Sequence, residues 1–220
     1  MTMYVPRIYK ASDRTWLRRV VAQYPFAALI SNGPKAPYAT HLPVICAPCA
    51  PSESEDLEGS TLFGHMNRAN PHWDSLVDGA DAQLIFTGPH GYVTPSVYQR
   101  DSVAPTWNYV SVHLRGKLQP VADFEETLKV VQLTVSTYEQ KFGSGWEMDS
   151  SLDHYRRIGP AVGAFSFEVE SADGMFKLSQ EQNLETRRRV ADHFSANHAG
   201  RGKELASFMR EYSHGDYNNF

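Results

Sequence analysis

Residues 162–170 read Val-Gly-Ala-Phe-Ser-Phe-Glu-Val-Glu, a stretch in which apolar and polar side chains alternate. This period of two is typical of a β-strand with one buried face. The alternation sets three apolar side chains against three polar ones, namely Phe165, Phe167 and Val169 against Ser166, Glu168 and Glu170. Short apolar runs bounded by turn residues predict six further strands, at residues 26–30, 38–45, 61–65, 82–87, 91–94 and 107–118.

Apolar residues at the helical period predict helices between and after these strands. Ser12 is expected to cap a first helix, and Asn70-Pro71 to start a short helix that closes at Gly79. Asp123 is expected to cap the clearest helix, with Glu126 in the position of a capping-box acid. Further helices are predicted at residues 152–158, 181–197 and 203–212. This pattern predicts one α+β barrel domain over residues 1–220, with a mobile loop at about 47–60 and C-terminal helices at about 181–212.

The composition narrows the class of function. The formal net charge is −4, which argues against a nucleic-acid partner because such proteins usually carry a basic surface. Cys46 and Cys49 are the two cysteines, and they lack the further ligands that a structural zinc ion requires. No apolar run has the length of a membrane span and the first ten residues lack a signal-peptide core. We therefore expect a cytoplasmic protein without a membrane partner.

Three clusters of polar and aromatic residues lie at the ends of predicted strands, at residues 64–73, 86–98 and 105–113. A hydrophobic core does not need so many hydrogen-bond donors, and an ordinary loop does not need so many aromatic rings. Rings that can stack, beside hydroxyl, amide and imidazole groups, are what a flat ligand with polar edges requires. The clusters therefore predict a site for a planar cofactor or substrate.

These clusters, together with Met3-Tyr4-Val5-Pro6, His41-Leu42-Pro43 and Phe176-Lys177-Leu178-Ser179-Gln180, resemble the signatures of the PaiB-like proteins, in the same order. PaiB-like proteins form a branch of the flavin split-barrel superfamily and are often described as FMN-binding negative transcriptional regulators. The resemblance extends from about residue 3 to about residue 190. It implies a split β-barrel with flanking helices that forms a homodimer, with ligand sites at the subunit interface.

The chain also departs from the flavin-type pattern. Glu181-Gln182 stand where that pattern has Asn-Arg, residues 186–190 replace Asp-Arg-x-Gly-Val, and Val97 replaces a tryptophan. Loss of the first arginine weakens a phosphate site, although Arg187, Arg188 and Arg189 could compensate. Residues 174–182 are more similar to the haem-dependent piperazate synthases of the same family. That resemblance implies haem b and the dehydrative closure of N5-hydroxy-L-ornithine to L-piperazic acid through an N–N bond.

Roles for single residues follow from these resemblances. The expected cofactor-binding residues are His65, as the haem-iron ligand, with Arg68, Trp107, Asn108 and Gln180. The expected catalytic residues are Lys177, Tyr92, Tyr98 and His113, with Lys177 or Arg68 holding the carboxylate of an amino-acid substrate. Structural roles remain open for all of them; His65 could equally form a hydrogen bond across the barrel. The alternative functions are an FMN-binding oxidoreductase on the same fold and a ligand-binding negative transcriptional regulator.

Overall fold

The chain folds into a closed antiparallel barrel of six strands with helices around it, as expected for an α+β split barrel. The computed structural model describes residues 3–47, 56–196 and 201–216. The strands follow the order β1-β2-β3-β6-β5-β4, and β4 pairs back with β1. Their bounds are β1 (Phe26–Ser31), β2 (Tyr38–Cys46), β3 (Thr61–Asn67), β4 (Ala80–Val93), β5 (Thr106–Pro120) and β6 (Val162–Lys177).

In the described ranges, six α-helices lie outside and at the ends of the barrel. They are α1 (Thr15–Gln23), α2 (Pro71–Asp74), α3 (Phe124–Phe142), α4 (Leu152–Ile158), α5 (Leu184–Ala196) and α6 (Gly202–Asp216). The same ranges contain four short 3-10 turns, at Arg7–Tyr9, Pro95–Tyr98, Asp149–Ser151 and Gly159–Ala161. Among the described residues, no helix has both the length and the apolar character needed to cross a membrane.

The barrel interior is filled by the alternate residues of each strand. Leu29, Leu84 and Leu114 lie side by side on β1, β4 and β5, and all three are fully buried. Helices α5 and α6 close one end of the barrel, where a Cβ atom added to Gly91 would lie 2.5 Å from the ring of Phe194. The inner face is therefore a packed core, and a ligand must use the outer face or the helices.

Strands 82–87 and 91–94, which we predicted as separate, form the single strand β4. Its register with β5 shifts between Thr87 and His90, so Gly88-Pro89 forms an irregularity within the strand. Proline lacks the N–H group that continues a hydrogen-bonded ladder, and this gave the appearance of a strand end. The barrel consequently has six strands where seven were predicted. The bulge leaves His90, Tyr92 and the residues after them on a continuation of the same sheet.

A second register shift, between Arg115 and Gly116, lies opposite the middle of β6. Val169 and Ala172 are both buried although they are three residues apart, whereas a regular strand buries every second residue. The shift therefore changes the set of alternate residues that faces the barrel interior. A strict alternation therefore ends near Glu170, where we had predicted the strand to end. The strand in fact continues to Lys177, which places the Phe176-Lys177 motif at a strand end.

Several predicted helix bounds need correction. Helix α1 begins at Thr15, whose N–H donates to the Asp13 carboxylate at 2.9 Å, whereas Ser12 donates its N–H to the Tyr212 hydroxyl. Helix α2 ends at Asp74 and does not reach Gly79, although Asn70 caps it as predicted, through a 3.0 Å bond from His72 N–H. The basic helix α5 begins at Leu184, because the preceding residues form a turn.

Asp123 caps α3 as expected, accepting the Glu126 N–H at 2.9 Å. The Glu126 carboxylate pairs with Lys129. Helix α3 packs on β2, β3 and β6, and the Tyr138 hydroxyl donates to the carbonyl of Val44. One side of the barrel is thus covered by α3. Most of the predicted loop at 47–60, including Cys49, lies outside the described residues.

Candidate functional site

The predicted site residues Tyr92, Trp107 and Lys177 share the outer face of β4, β5 and β6. Tyr92 lies opposite Trp107 across the β4–β5 pair. One step along the same face, Tyr109 lies opposite His90 on one side and Lys177 on the other. Residues directly opposite each other in antiparallel strands point to the same side of the sheet. We refer to His90, Tyr92, Trp107, Tyr109 and Lys177 as the aromatic face.

The rings of the aromatic face are open to solvent. Tyr92 is 49% exposed and Trp107 is 52% exposed. Their ring centroids lie 6.0 Å apart in an edge-to-face arrangement, and the His90 ring lies 6.2 Å from that of Trp107. Large exposed aromatic groups that adjoin polar groups commonly mark a binding surface. A planar ligand could stack here on rings that the strands already hold in place.

Lys177 forms one edge of this face, and its ammonium group is held by neighbours. Its Nζ atom donates to the Thr106 hydroxyl at 2.5 Å and lies 5.8 Å from the ring centroid of Tyr9. The Tyr9 hydroxyl in turn donates to the Glu181 carboxylate at 3.2 Å. Partial burial, followed by the negative charge of Glu181, raises the pKa of Tyr9 to about 12. Tyr9 is therefore a proton-bearing donor at neutral pH, and Lys177 supplies a fixed positive charge.

A groove of about 540 Å³ adjoins the aromatic face at His90. Phe26, His41 and Arg201 also line it. Phe26 is 64% exposed and its ring stacks on that of His41 at 6.0 Å. Exposed rings and imidazoles therefore lie on the outer surface of the four neighbouring strands β2, β1, β4 and β5.

His65 and Arg68 lie at the other end of β6. His65 lies opposite Ala164, near the start of that strand, and the Arg68 Nε–H donates to the carbonyl of Val162 at 2.9 Å. The Arg68 guanidinium also lies 5.1 Å from the ring centroid of Trp73. Within one chain, His65 and Arg68 lie at the opposite end of β6 from Lys177 and the rest of the aromatic face.

His65 has an incomplete set of hydrogen bonds. Its Nδ1 atom is buried and has no partner among the described residues. Burial lowers the pKa of His65, so the ring is neutral at pH 7. A neutral imidazole can act as a metal ligand. A buried nitrogen without a partner is costly, however, and it is unusual in a histidine that serves only packing.

Three predicted site residues are turned away from the aromatic face. Asn108 points into the barrel, is 0% exposed, and exchanges hydrogen bonds with the Ser179 side chain at 2.9 and 3.1 Å. Tyr98 is buried in the core beside α5. The Gln180 amide folds back on its own turn, where it accepts the Leu178 N–H at 2.7 Å and donates to the Phe176 carbonyl.

His113 lies on the outer face in the middle of β5, opposite Ile85 and Asp173. Burial lowers the pKa of this imidazole, and the Asp173 carboxylate opposes that shift. Within the described ranges, no three or more His, Cys, Asp or Glu side chains come together as a metal site.

His90 and Tyr109 lie within the predicted clusters but were assigned no role, and Tyr9 belongs to none of the motifs. The signal for Tyr109 was available, because it follows Trp107 by two residues and must share its face. His90 was hidden by the bulge that interrupts the alternation of β4. Tyr9 lies in a 3-10 turn and reaches Glu181 across 172 positions of the chain, so no local pattern could indicate it.

The aromatic face fits one side of a planar cofactor, either a flavin or a porphyrin. It offers stacking rings, a fixed cation and hydrogen-bond donors, and the neutral His65 could ligate iron in a haem. The face covers only one side of such a ring, and Arg68 and His65 lie at the opposite end of β6.

A family model described as "Putative FMN-binding domain" matches residues 3–171. The chain is 27% identical to the "Protease synthase and sporulation protein PAI 2" of Bacillus subtilis over 211 residues, which covers 95% of this chain and 97% of that protein.

Two solved structures share the fold. The flavocytochrome Anf3 of Azotobacter vinelandii superposes with a TM-score of 0.59 at 16% identity, covering 83% of this chain and 77% of that one. The FAD and haem binding protein of Mycobacterium smegmatis gives a TM-score of 0.58 at 15% identity, covering 81% of this chain and 78% of that one.

Proposed function

Since this chain belongs to that FMN-binding domain family, we propose that it is a flavin-dependent redox protein that holds FMN on the aromatic face. The observation that carries the proposal is the open pair of rings at Tyr92 and Trp107, with the cation of Lys177 at its edge. Stacking on preformed rings supplies affinity at a small cost in conformational entropy. The exposed fraction of these rings would become buried on binding.

The cofactor supplies hydride or electron transfer when it is bound, and the protein supplies binding, orientation and charge. Tyr92 and Trp107 would cover one side of the flavin ring. Lys177 would hold a negative charge, from the cofactor or from the carboxylate of a substrate, through a charge-assisted hydrogen bond. Tyr9, which keeps its proton at neutral pH, would hold the Glu181 carboxylate in place through its hydrogen bond.

The functional unit in this proposal is a homodimer with two-fold symmetry. Arg68 contacts the first residue of β6 and Lys177 is its last, in a strand of 16 residues. An extended strand rises about 3.3 Å per residue, so the length of β6 between the two cations exceeds the width of a flavin or haem ring. A two-fold axis places the same surface of both chains face to face. The second chain would thereby complete each site.

A second candidate function is the haem-dependent cyclisation of N5-hydroxy-L-ornithine, and one observation favours it. His65 is neutral at pH 7 and keeps an unpartnered buried Nδ1 atom, which suits a ring held ready for a ligand that is not a protein group. His65 would hold a haem there, and the haem would supply Lewis acidity. Lys177 or Arg68 would fix the substrate carboxylate so that the two nitrogens approach each other.

The absorption spectrum of the protein, purified from cells supplied with both riboflavin and a haem precursor, separates these functions. A flavin spectrum that is released on denaturation, and tight rebinding of FMN, would support the first. A Soret band that is lost or shifted in His65→Ala, with N–N ring closure that falls about tenfold or more in Lys177→Met, would support the second. Protein that binds neither cofactor at micromolar concentration would overturn both.

A further inference from the structure

A small pocket of about 110 Å³ lies between helices α5 and α6, away from the aromatic face. Its apolar floor is made by Leu184, Ala191 and Met209. Its polar groups are three arginines and one hydroxyl, from Arg187, Arg188, Arg210 and Ser213. No carboxylate is among its lining residues in the part of the chain that the structure describes. A pocket lined in this way has a positive potential.

Two of the three guanidinium groups keep donors without a partner among the described residues. Arg187 donates one Nη2–H to the Ser213 hydroxyl at 2.8 Å, but its Nε atom is buried without a partner. Arg210 is paired with Asp192 at 2.8 Å, on the exposed side of the helices. Arg188 forms no hydrogen bond or ion pair with the residues in the three described ranges. A buried guanidinium nitrogen that lacks an acceptor is costly, and an anion in the pocket would satisfy it.

We propose that this pocket binds a tetrahedral oxyanion, as inorganic phosphate or as the phosphate group of a small phosphomonoester. The planar fork of arginine matches pairs of phosphate oxygens, and two arginines on consecutive positions of α5 can approach one anion from two sides. The Ser213 hydroxyl donates to the Met209 carbonyl at 2.8 Å and accepts from Arg187, which leaves one acceptor position for a protonated phosphate oxygen. The small volume favours a single phosphate group over a larger carboxylate ligand.

This site is distinct from the proposed flavin site. Arg189, the next residue of α5, points the other way and donates to the carbonyls of Val97 at 3.1 Å and Tyr98 at 3.3 Å. Lys177 and the exposed rings do not line the pocket. Binding of phosphate here therefore does not depend on whether the chain binds FMN or haem.

Isothermal titration of the full-length protein with inorganic phosphate tests this inference. The buffer contains no other phosphate or sulfate, and potassium chloride keeps the ionic strength constant because surface charge is screened by salt. Wild-type protein should bind phosphate. Arg188→Met removes an exposed side chain, and Arg187→Lys keeps the charge but loses the fork; each should weaken binding about tenfold or more. Arg157→Met, at an exposed arginine of α4, is the matched control and should bind as wild type.

Phenyl phosphate in the same titration distinguishes a site for inorganic phosphate from a site for a phosphomonoester. Binding of both ligands indicates a pocket that accepts an ester, and binding of inorganic phosphate alone indicates a site for the free ion. The inference is overturned if wild-type protein gives no saturable heat through the millimolar range, or if both arginine variants bind phosphate as wild type does. It is also overturned if only Lys177→Met loses phosphate binding, because the anion would then occupy the aromatic face.

Discussion

Arg68 and Lys177 mark the two ends of one strand: Arg68 donates to the carbonyl of Val162, the first residue of β6, and Lys177 is its last residue. Both cations lie on motifs that the sequence places in one site. In one chain β6 lies between them, and in the proposed homodimer two chains related by symmetry would bring them to one ligand. Substitutions of these two residues can therefore test whether the functional unit is a dimer.

Mixing two defective chains tests the shared site. Arg68→Met and Lys177→Met should each weaken binding of the cofactor when present in both chains. In a heterodimer of the two variants, one site has both substitutions and the other has neither, so random mixing should restore about a quarter of the wild-type sites. Cofactor content after co-expression and a size measurement by light scattering give the result. No recovery in verified heterodimers, or a monomer that retains cofactor, would contradict a shared site.

The exposed ring of Trp107 should contribute directly to flavin binding. Aromatic stacking contributes about 0.5–1.5 kcal/mol beyond burial of area, so Trp107→Ala should weaken FMN binding by about tenfold. Quenching of flavin fluorescence on titration measures the affinity. Trp146→Ala changes an indole that is 46% exposed in the segment after α3 and is the matched control. Equal affinities for the two variants would exclude the aromatic face as the flavin site.

Asn108 should matter for stability. Its amide is fully buried and bonded to Ser179, so Asn108→Ala leaves that hydroxyl without its partner inside the barrel. The loss of a buried polar partner costs about 1–3 kcal/mol, and at this chain length each kcal/mol lowers the melting temperature by about 2–4 °C. Thermal unfolding measures this loss. An unchanged melting temperature together with lost cofactor would instead indicate contact with the ligand.

Ser179→Ala is the matched partner variant for Asn108→Ala. Since the two side chains bond to each other, the double variant should be less destabilised than the sum of the single variants. Additive losses would show that the pair is not coupled in solution.

Stability should fall in mild acid because of buried His72. Its Nε2 atom lies 2.9 Å from the Ser31 hydroxyl, its Nδ1 atom lies 2.8 Å from that of Thr40, and burial lowers its pKa. The unfolded chain then binds the proton more readily, near pH 6.5. The free energy of unfolding should therefore be constant above about pH 7 and decrease as the pH falls below about 6.5.

Chemical denaturation between about pH 7.5 and 5.5 measures this slope. His72→Gln should make the free energy of unfolding depend less steeply on pH. The remaining slope would come from His65 and His113, whose pKa values burial also lowers. His154→Gln, at an exposed position of α4, is the control. An identical slope in His72→Gln and wild type would show that His72 does not titrate differently in the folded chain.

The sequence by itself determined the barrel strands, the capped helix after Asp123 and the motifs on the outer face, because local alternation and capping depend on nearby residues. It also led to the FMN-binding domain family, whose family model matches residues 3–171. It did not reveal the bulge at Gly88-Pro89, which joins two predicted strands and exposes His90 beside Trp107.

Only the tertiary structure decided which motif residues meet. Asn108 and Trp107 are neighbours in the chain, yet one is buried in the core and the other is exposed, because successive side chains of a strand point to opposite faces. Tyr9 reaches Glu181 only because the N-terminal turn packs beside the end of β6. Arg68 and Lys177 belong to motifs that the sequence predicts in one site, yet Arg68 contacts the first residue of β6 and Lys177 is its last, because strand pairing sets their positions.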